Sequence, residues 1–355
     1  MVPMIFSVVS PDDPAWTDAF MRLSPTDRDV FHSPAFARAT QATLYRRDTV
    51  LAAIGAKGEQ RVLYPFVLRD LERLTGACAA RGLTDMTGLY GRGGIALSLD
   101  GASLLPSFHS ALNEWAQGAG AICTFDRFHP VSANEVTIAP GGRVIDVGLF
   151  VVMDLRDGAD AALARAKPAI RRAIRRAESL GITTRQVPAA QAIDPFLDLY
   201  HETMAANGAE DFYFFDRSFF QSLADALGEG AQFHFAFDGD QPVSAELVLA
   251  EGRYCHYFLG GTRRQALDSR ANQKLKSHIV ADCAAQGRHF YLLGGGHDPE
   301  DGLTRYKLTF APDGGLPSRV GGTIFDADAY QNLKARLAED GTVIRPNRFQ
   351  FYDPN

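Results

Sequence analysis

The chain has 355 residues, of which 46% are hydrophobic and 22% charged, and its formal net charge is −6. This composition is typical of a soluble globular protein, and the length is sufficient for two domains. No apolar run is long enough to span a bilayer, and the N-terminal segment lacks the basic region of a signal peptide. We therefore expect a cytoplasmic protein. The acidic net charge excludes a polycation, so any contact with nucleic acid must be local, and we expect no DNA binding.

The first half of the sequence alternates helical and strand patterns. Short helices are predicted over 16–24 and 31–44, followed by a hairpin whose strands TVLAAIGA and QRVLYPFVLRD flank the turn Lys57-Gly58-Glu59. A helix over 103–119 precedes two more strands, AICTFDRFHP and VIDVGLFVVMDL. Helices and strands alternate without a strict βαβ repeat, which predicts a mixed α/β class.

A glycine-rich segment, DMTGLYGRGGIAL, lies between these elements at 85–97. It is either a backbone pocket for an anion or a carbonyl, or a glycine-rich turn between two strands. Its spacing matches no phosphate-binding loop, which favours the turn.

The second half begins with a helix that carries a strongly basic arc. Its six positive residues are Arg165, Lys167, Arg171, Arg172, Arg175 and Arg176. At about 100° per residue they lie together, while alanine, isoleucine and leucine fill the opposite arc. No acidic residue appears before Glu178, so the arc is either a solvated face or a surface that binds phosphate or an RNA backbone.

The remaining elements follow a recognisable order. A helix over 194–206, an aromatic segment and a helix from Arg217 precede three strands in a meander, QFHFAFD, VSAELVLAE and RYCHYFLGG. A helix over 270–286, a strand over 289–293, a glycine break and a final strand near 305–311 complete this half. The order is typical of an N-acyltransferase domain of the GNAT type.

Several stretches also resemble FemABX-type peptidyltransferases. The segment DLRDGADAALARAKPAIRRAIRRAESLGI is similar to the opening of that family's second domain. HYFLGGT, Ala271-Asn272, LLGGG and DGLTRYKLTF resemble its C-terminal signature, and LYGRGGIAL resembles its tyrosine- and glycine-rich stretch, usually YGYGGP. The resemblance extends over nearly the whole chain.

The resemblance implies two tandem GNAT-like acyl-CoA N-acyltransferase domains with α/β (α+β mixed) sheets. The first domain would cover 1–150, with a C-terminal helix within 321–355 packing back on it, and the catalytic domain would cover 151–320. Members transfer an aminoacyl group from aminoacyl-tRNA to an amine, typically on a peptidoglycan precursor. We therefore expect a monomeric aminoacyltransferase with no further cofactor, an acceptor of this kind or a small molecule, and a peripheral contact with the membrane.

The resemblance further implies a catalytic role for Lys307, in the segment that matches the family's Phe-Lys motif, with Tyr306 at the aromatic position. A cation beside the reacting carbonyl stabilises the oxyanion of acyl transfer. Without the resemblance, Lys307 is better interpreted as a lysine pointing outward from an edge strand. The bare backbone of Gly294, Gly295 and Gly296 suits a substrate that approaches main-chain groups closely.

Further site candidates lie around this segment. Tyr254 and His256 share one side of a strand that borders the cleft in this fold, although both residue types are also common in cores. Arg217 is expected to bind an acceptor phosphate, and Tyr213 either lines a ligand groove or belongs to the core. Asn272 either caps its helix or fixes the glycine turn.

Contacts with the substrates are expected elsewhere as well. Tyr90 belongs to the glycine-rich stretch that resembles the family and is a candidate for substrate binding. Lys167, Arg171, Arg172 and Arg175 would contact the phosphates of tRNA. His297 and Asp298 could form a polar rim, but the spacing offers too few ligands for a metal, so we expect none. The four cysteines form no C-x-x-C pair, which is also unfavourable for structural zinc.

Two departures from the family leave alternatives open. The sequence lacks the long coiled-coil arm that some members of the family have, and in this respect it resembles the shorter members without an arm. The turn after GGT reads RRQALDSRAN and lacks the glycines of a CoA pyrophosphate loop. One alternative is an acyl-CoA-dependent N-acyltransferase acting on an amino sugar, amine or lipid precursor. The other is a catalytically silent double-GNAT binding module.

Overall fold

The chain folds into two compact units. The computed structural model describes residues 3–295, 302–341, 344–345 and 348–353. The first unit consists of Met1–Asp146 and Ser318–Asn355, and the second unit is Val147–Pro317. The C-terminal segment thus belongs to the first unit. The boundaries between the two units lie within a few residues of 150 and 320.

Strands and helices alternate through both units, which confirms the mixed α/β class. The strands are β1 (Ile5–Val9), β2 (Thr49–Lys57), β3 (Gln60–Asp70), β4 (Thr84–Thr87), β5 (Ala96–Leu97), β6 (Ala121–Arg127), β7 (Arg143–Asp154), β8 (Thr183–Val187), β9 (Ala231–Asp238), β10 (Gln241–Glu251), β11 (Tyr254–Thr262), β12 (Phe290–Gly295) and β13 (Gly315–Gly322). The helices are α1 (Pro14–Met21), α2 (Pro34–Gln41), α3 (Leu71–Thr75), α4 (Leu105–Gly118), α5 (Ala159–Arg165), α6 (Pro168–Ser179), α7 (Ala189–Ala206), α8 (Arg217–Leu227), α9 (Ala271–Ala285), α10 (Gly302–Phe310) and α11 (Ala327–Glu339). Among the residues described, no helix has both the length and the hydropathy to cross a bilayer.

The first unit is built on a sheet with the strand order β1-β2-β3-β4-β6. β5 pairs with β3, the C-terminal part of β13 pairs with β6, and β4 and β6 are parallel. Neighbouring residues of β6 point to opposite faces. Accordingly, Ala121 packs in the core with Phe108 of α4, whereas Ile122 packs in a second core with Leu333 of α11.

The second unit has the strand order β7-β12-β11-β10-β9-β8. β11 and β12 are parallel, and the other neighbours are antiparallel. The core on one face contains residues of α5, α6, α9 and α10. On the opposite face Phe196 of α7 and Phe220 of α8 pack together, and Phe196 also contacts Phe233 of β9. We call these the α9 face and the α7 face.

Two expectations about elements are wrong. The segment near 305–311 is helix α10 and not a strand: its buried residues Thr304, Lys307 and Phe310 recur every three positions, a helical spacing. The strand that follows is β13. The basic segment forms two helices, α5 and α6, because Pro168 suits a first turn and cannot continue a helix. The helix expected within the C-terminal segment 321–355 is α11.

Candidate active site

A buried ionic cluster lies on the α9 face of the second unit. The Nζ atom of Lys276 is 2.7 Å from Oε2 of Glu246, and the side chains are 4% and 0% exposed. The hydroxyl of Tyr291 donates to Oε1 of the same carboxylate. Burial raises the pKa of Glu246, while the charges of Lys276 and Lys307 counteract the increase. We call Glu246, Lys276, Tyr291, Lys307 and Tyr257 the Glu246 cluster.

Tyr257 links the two lysines of this cluster. The Nζ atoms of Lys276 and Lys307 lie 4.2 Å and 5.7 Å from the centroid of its ring. Such positions allow cation–π attraction, which is stronger when water is excluded. Burial and the negative charge of Glu246 both raise the pKa of the Tyr257 hydroxyl, which therefore stays protonated at neutral pH.

A β-bulge in β11 contributes to this arrangement. Leu247 pairs with Leu259 and Val248 with Tyr257, so Phe258 is the additional residue between the two pairs. An extra residue bends its strand and changes the direction of neighbouring side chains. β10 supplies Glu246 and β11 supplies Tyr257 on either side of this irregularity. Glu246 pairs with Lys276, and the ring of Tyr257 lies near both lysines.

Lys307 lies beside the glycine break at the end of β12. Its Nζ donates to the carbonyl oxygen of Gly295 at 2.9 Å. Gly294 has φ +84°, and a Cβ there would be 3.1 Å from the same Nζ. A residue with a side chain would therefore be strained and would crowd the ammonium. Gly296 lies outside the described residues, as do His297 and Asp298.

A second polar chain connects α10 to the sheet. The hydroxyl of Tyr306 donates to Oδ1 of Asn272 at 2.5 Å. Nδ2 of Asn272 in turn lies 3.4 Å from the hydroxyl oxygens of Ser244 and Thr262. Asn272 does not cap α9, because Arg270 occupies that position. Burial, with the charge of Glu246, raises the pKa of Tyr306, so its hydroxyl remains a donor.

Tyr254 and His256 lie on the other side of the sheet from Lys307. Side chains alternate along β11, so these two residues face away from Tyr257, which packs against the core of the α9 face. Tyr254 stacks with Phe290 at 5.9 Å and contacts the ring of His256 at 6.2 Å. The structure therefore does not bring the three catalytic candidates together: Lys307 is separated from the other two.

Arg217 and Tyr213 belong to the layer that covers the α7 face. Arg217 is the first residue of α8, is exposed, and forms an ion pair with Asp194 at 2.8 Å. The carbonyl oxygen of Tyr213 accepts a hydrogen bond of 2.6 Å from Tyr200. These positions favour a surface and packing role, on the face opposite the Glu246 cluster.

The basic residues of the α5–α6 region divide into two groups. The guanidinium of Arg171 donates to the carbonyl oxygens of Ala164 and Ala166, at 2.7 Å and 2.6 Å, and so satisfies the C-terminal end of α5. Lys167, Arg172, Arg175 and Arg176 are exposed, and they form no ion pair with any residue that the structure describes. We call these four residues the α6 basic face.

The glycine-rich segment of the first unit surrounds an internal carboxylate. Oδ1 of Asp126 accepts from the amide of Gly94 at 3.0 Å, and Oδ2 accepts from the hydroxyl of Tyr64 at 2.9 Å. A Cβ at Gly88 or Gly93 would lie 2.8 Å or 2.9 Å from Oδ1. The bare backbone thus accommodates a carboxyl group of the protein itself. Tyr90 extends this segment, and its amide donates to the hydroxyl of Tyr45.

The sequence interpretation missed Glu246, Lys276 and Tyr291. A usable signal was present, because Glu246 lies inside the apolar run of its strand and Lys276 lies beside Leu275 on the buried side of its helix. Charged residues are almost never fully buried unless they are paired. An acidic residue in one apolar element and a basic residue in another therefore predict an internal ion pair.

Comparison with known proteins assigns the domain type. Residues 164–308 match the family model described as an acetyltransferase (GNAT) domain. This range contains every residue of the Glu246 cluster and both residues of the Tyr306–Asn272 hydrogen bond. No curated protein sequence matches the chain.

Solved structures share the fold of nearly the whole chain. FemX is 13% identical with a TM-score of 0.71, and the match covers 92% of this chain and 99% of FemX. A domain of a candidate lysylphosphatidylglycerol synthetase from Agrobacterium fabrum is 14% identical with a TM-score of 0.54, over 91% and 96% of the two chains. A tandem GNAT protein from the clavulanic acid biosynthesis pathway is 11% identical with a TM-score of 0.50, over 91% and 99%.

These matches confirm the expected fold and support a transferase of the acyltransferase type. The chain has the fold that FemX and a tandem GNAT protein share, and its residues 164–308 match the model of an acetyltransferase (GNAT) domain.

Proposed function

We propose that the protein transfers an aminoacyl group from aminoacyl-tRNA to an amine of a cell-wall precursor or a related small molecule. The observation that carries the proposal is the ammonium of Lys307, buried beside the bare backbone of Gly294 and Gly295. A fixed cation with a glycine backbone next to it suits a reaction in which negative charge develops on a carbonyl oxygen.

The chemistry needs few protein groups. A neutral amine attacks the ester carbonyl of the donor, the new amide bond forms, and the bond to the ribose oxygen breaks. Lys307 stabilises the oxyanion of the tetrahedral intermediate, and Tyr306 and Tyr257 remain protonated beside it. The proton of the attacking amine passes to the leaving ribose oxygen through the substrates themselves, a form of general acid–base transfer that needs no side chain.

The Glu246 cluster has a positioning role in this proposal. Glu246 is fully buried and already accepts from Lys276 and Tyr291, so its carboxylate is held inside the unit. Its charge attracts Lys307, because buried charges interact strongly at low dielectric. The carboxylate therefore offsets part of the cost of burying the Lys307 ammonium without touching the substrate.

The α6 basic face supports a donor that is a polyanion. Four exposed cations without ion-pair partners among the described residues create a local positive potential on a protein with a net charge of −6. Such a surface steers and binds phosphates at moderate ionic strength. A tRNA donor also implies a cytoplasmic reaction. The acceptor in this proposal is a peptidoglycan precursor or small amine, with a peripheral membrane contact if the acceptor is carried by a lipid.

Thermal unfolding in the presence of each donor class tests the proposal. A ligand that binds the native state raises Tm by mass action, so aminoacyl-tRNA should raise it. CoA and acetyl-CoA should leave it unchanged, and deacylated tRNA measures the contribution of the RNA alone. A rise with CoA and none with aminoacyl-tRNA would instead establish an acyl-CoA-dependent N-acyltransferase. No response to either donor would favour a binding module without catalytic activity.

A further inference from the structure

Two histidines and an aspartate converge at the far end of α9 in the second unit. Nδ1 of His234, on β9, lies 3.6 Å from Oδ2 of Asp282, and Nε2 of His278 lies 3.2 Å from the same oxygen. The three ligand atoms all lie within 4.8 Å of one another. His278 and Asp282 are one helical turn apart on α9, so both project toward β9.

The two imidazole nitrogens that face this point have no hydrogen-bond partner. His234 is 0% exposed, so its nitrogen is shielded from bulk solvent. Buried polar atoms in native proteins are nearly always satisfied, and each exception requires an explanation. Two neighbouring exceptions that are directed at one carboxylate oxygen require a common explanation.

The tautomer of His234 is determined by its other nitrogen. Nε2 lies 3.4 Å from Oε1 of Gln232, an acceptor, so Nε2 carries the hydrogen. Gln286 donates to the same oxygen and holds the Gln232 side chain in place. Nδ1 of His234 therefore presents a lone pair toward the carboxylate of Asp282. Two acceptors at this separation repel each other unless a cation lies between them.

The nitrogen–oxygen separations match those between two ligands of one metal ion. Zn²⁺ binds imidazole nitrogen and carboxylate oxygen at about 2.0–2.2 Å, and tetrahedral geometry then places neighbouring ligand atoms about 3.4 Å apart. The two nitrogen–oxygen separations are 3.2 Å and 3.6 Å.

We infer that His234, His278 and Asp282 form a binding site for a divalent transition-metal ion, with Zn²⁺ as the preferred occupant. Two nitrogens and one oxygen are a typical ligand set for this ion, and Gln232 orients the first histidine in the way that outer ligands do. The Asp282 side chain is 32% exposed, so solvent has access to supply a fourth ligand. The sequence did not indicate the site, because β9 and α9 are far apart along the chain.

A bound metal ion would link α9 to β9 of the sheet. The same helix supplies Lys276 to the Glu246 cluster and Asn272 to Tyr306, both closer to its beginning. A site at the other end of the helix would therefore stabilise the element that carries two residues of the candidate active site. The inference stands independently of the proposed reaction, because it concerns metal binding alone.

The test is a competition titration of the tag-free full-length chain with Zn²⁺ against a chromophoric chelator, after removal of metal. We expect one equivalent of tightly bound Zn²⁺ and a higher Tm, since the ion binds the native state. Asp282→Asn, at the accessible ligand, should weaken binding about 100-fold or more. Co²⁺ should give the visible absorption of a four-coordinate site with nitrogen and oxygen ligands.

Two further variants complete the design. His278→Gln should lose the Zn²⁺ equivalent, whereas His289→Gln, a histidine of the same unit outside the cluster, should retain it. Circular dichroism establishes that each variant is folded, and Asp282→Asn remains informative if His278→Gln is not. Absence of stoichiometric Zn²⁺ binding by the parent chain, or unchanged affinity in Asp282→Asn, overturns the inference.

Discussion

The ammonium of Lys276 and the carboxylate of Glu246 lie 2.7 Å apart while both side chains are almost completely shielded from solvent. Charges of this kind are costly to bury and are tolerated because they compensate each other. The pair joins α9 to β10 and holds the negative charge that faces Lys307. Its stability and the geometry of the candidate active site are therefore connected.

Breaking this pair should destabilise the protein strongly. Lys276→Met leaves the buried carboxylate of Glu246 without its ion-pair partner, and we expect a loss of about 3–5 kcal/mol in the free energy of unfolding. Glu246→Gln combined with Lys276→Met should recover part of that loss, because neither charge then remains. Chemical denaturation measures both values.

A surface ion pair between another lysine of α9 and a glutamate of α6 provides the control. Lys274 pairs with Glu178 at 2.6 Å, but the side chains are 23% and 48% exposed. Lys274→Met should cost at most about 1 kcal/mol. Equal costs for the Lys274 and Lys276 variants would contradict the buried character of the Glu246 pair.

Removal of the Lys307 ammonium should impair transfer more than folding. We expect Lys307→Ala to lower the single-turnover rate by about 100-fold or more, the usual effect of losing one group that stabilises an oxyanion. Lys307→Arg keeps the charge and should retain part of the rate. Lys274→Ala serves as the lysine control and should leave the rate unchanged, whereas an undiminished rate in Lys307→Ala would remove this residue from the mechanism.

Gly294 should be intolerant of a side chain for two separable reasons. Its φ of +84° makes Gly294→Ala strained by about 1–3 kcal/mol, and the new methyl group would crowd the Nζ of Lys307. Gly287→Ala is the matched control, because Gly287 has φ +72° with nothing within 4 Å of the added Cβ. Both variants should lose stability, but only Gly294→Ala should also lose transfer activity.

Arg171 and Arg175 should differ in what their removal affects. Arg171→Ala breaks two hydrogen bonds from a charged donor to backbone carbonyls and should destabilise the chain by about 1–3 kcal/mol. Arg175→Ala should change stability by no more than about 0.5 kcal/mol. Arg175→Glu should instead weaken tRNA binding and flatten its dependence on salt. Arg336→Glu, an exposed arginine of α11, is the control; equal effects on binding would make the α6 basic face an ordinary solvated surface.

The free energy of unfolding should fall as the pH rises, because of the buried carboxyl group of Asp126. Burial raises its pKa to about 7, so the folded state holds a proton that the unfolded chain releases near the ordinary value for aspartate. This stabilisation is complete below about pH 4 and disappears as the pH passes 7, a change on the order of 4 kcal/mol. Denaturation at several pH values should show the decline.

The control for this pH dependence is a pair of substitutions in the first unit. Asp126→Asn imitates the protonated carboxyl and should abolish the decline between pH 4 and 7. Asp100→Asn, at an exposed aspartate, should preserve it. A parent chain whose stability is constant across this range would contradict the raised pKa.

Local patterns in the sequence were sufficient for most of the elements. The β2–β3 hairpin follows from two apolar runs around Gly58, which has the positive φ that such a turn requires. The amphipathic α6 follows from its spacing, with Pro168 in the first turn and Gly181 just beyond the last. These features depend on residues a few positions apart, so the sequence contains the information directly.

The sequence alone thus determined the fold class and most of the helices and strands, and it predicted a functional role for the glycine break and Lys307. Only the tertiary structure decided that α10 is a helix, that Lys307 faces Tyr257 rather than His256, and that Glu246 meets Lys276. It also brought His234 to His278 and Asp282. The alternation of side chains along a strand shows which residues share a side of the sheet. The residues that pack against that side belong to distant parts of the chain, and the tertiary packing selects them.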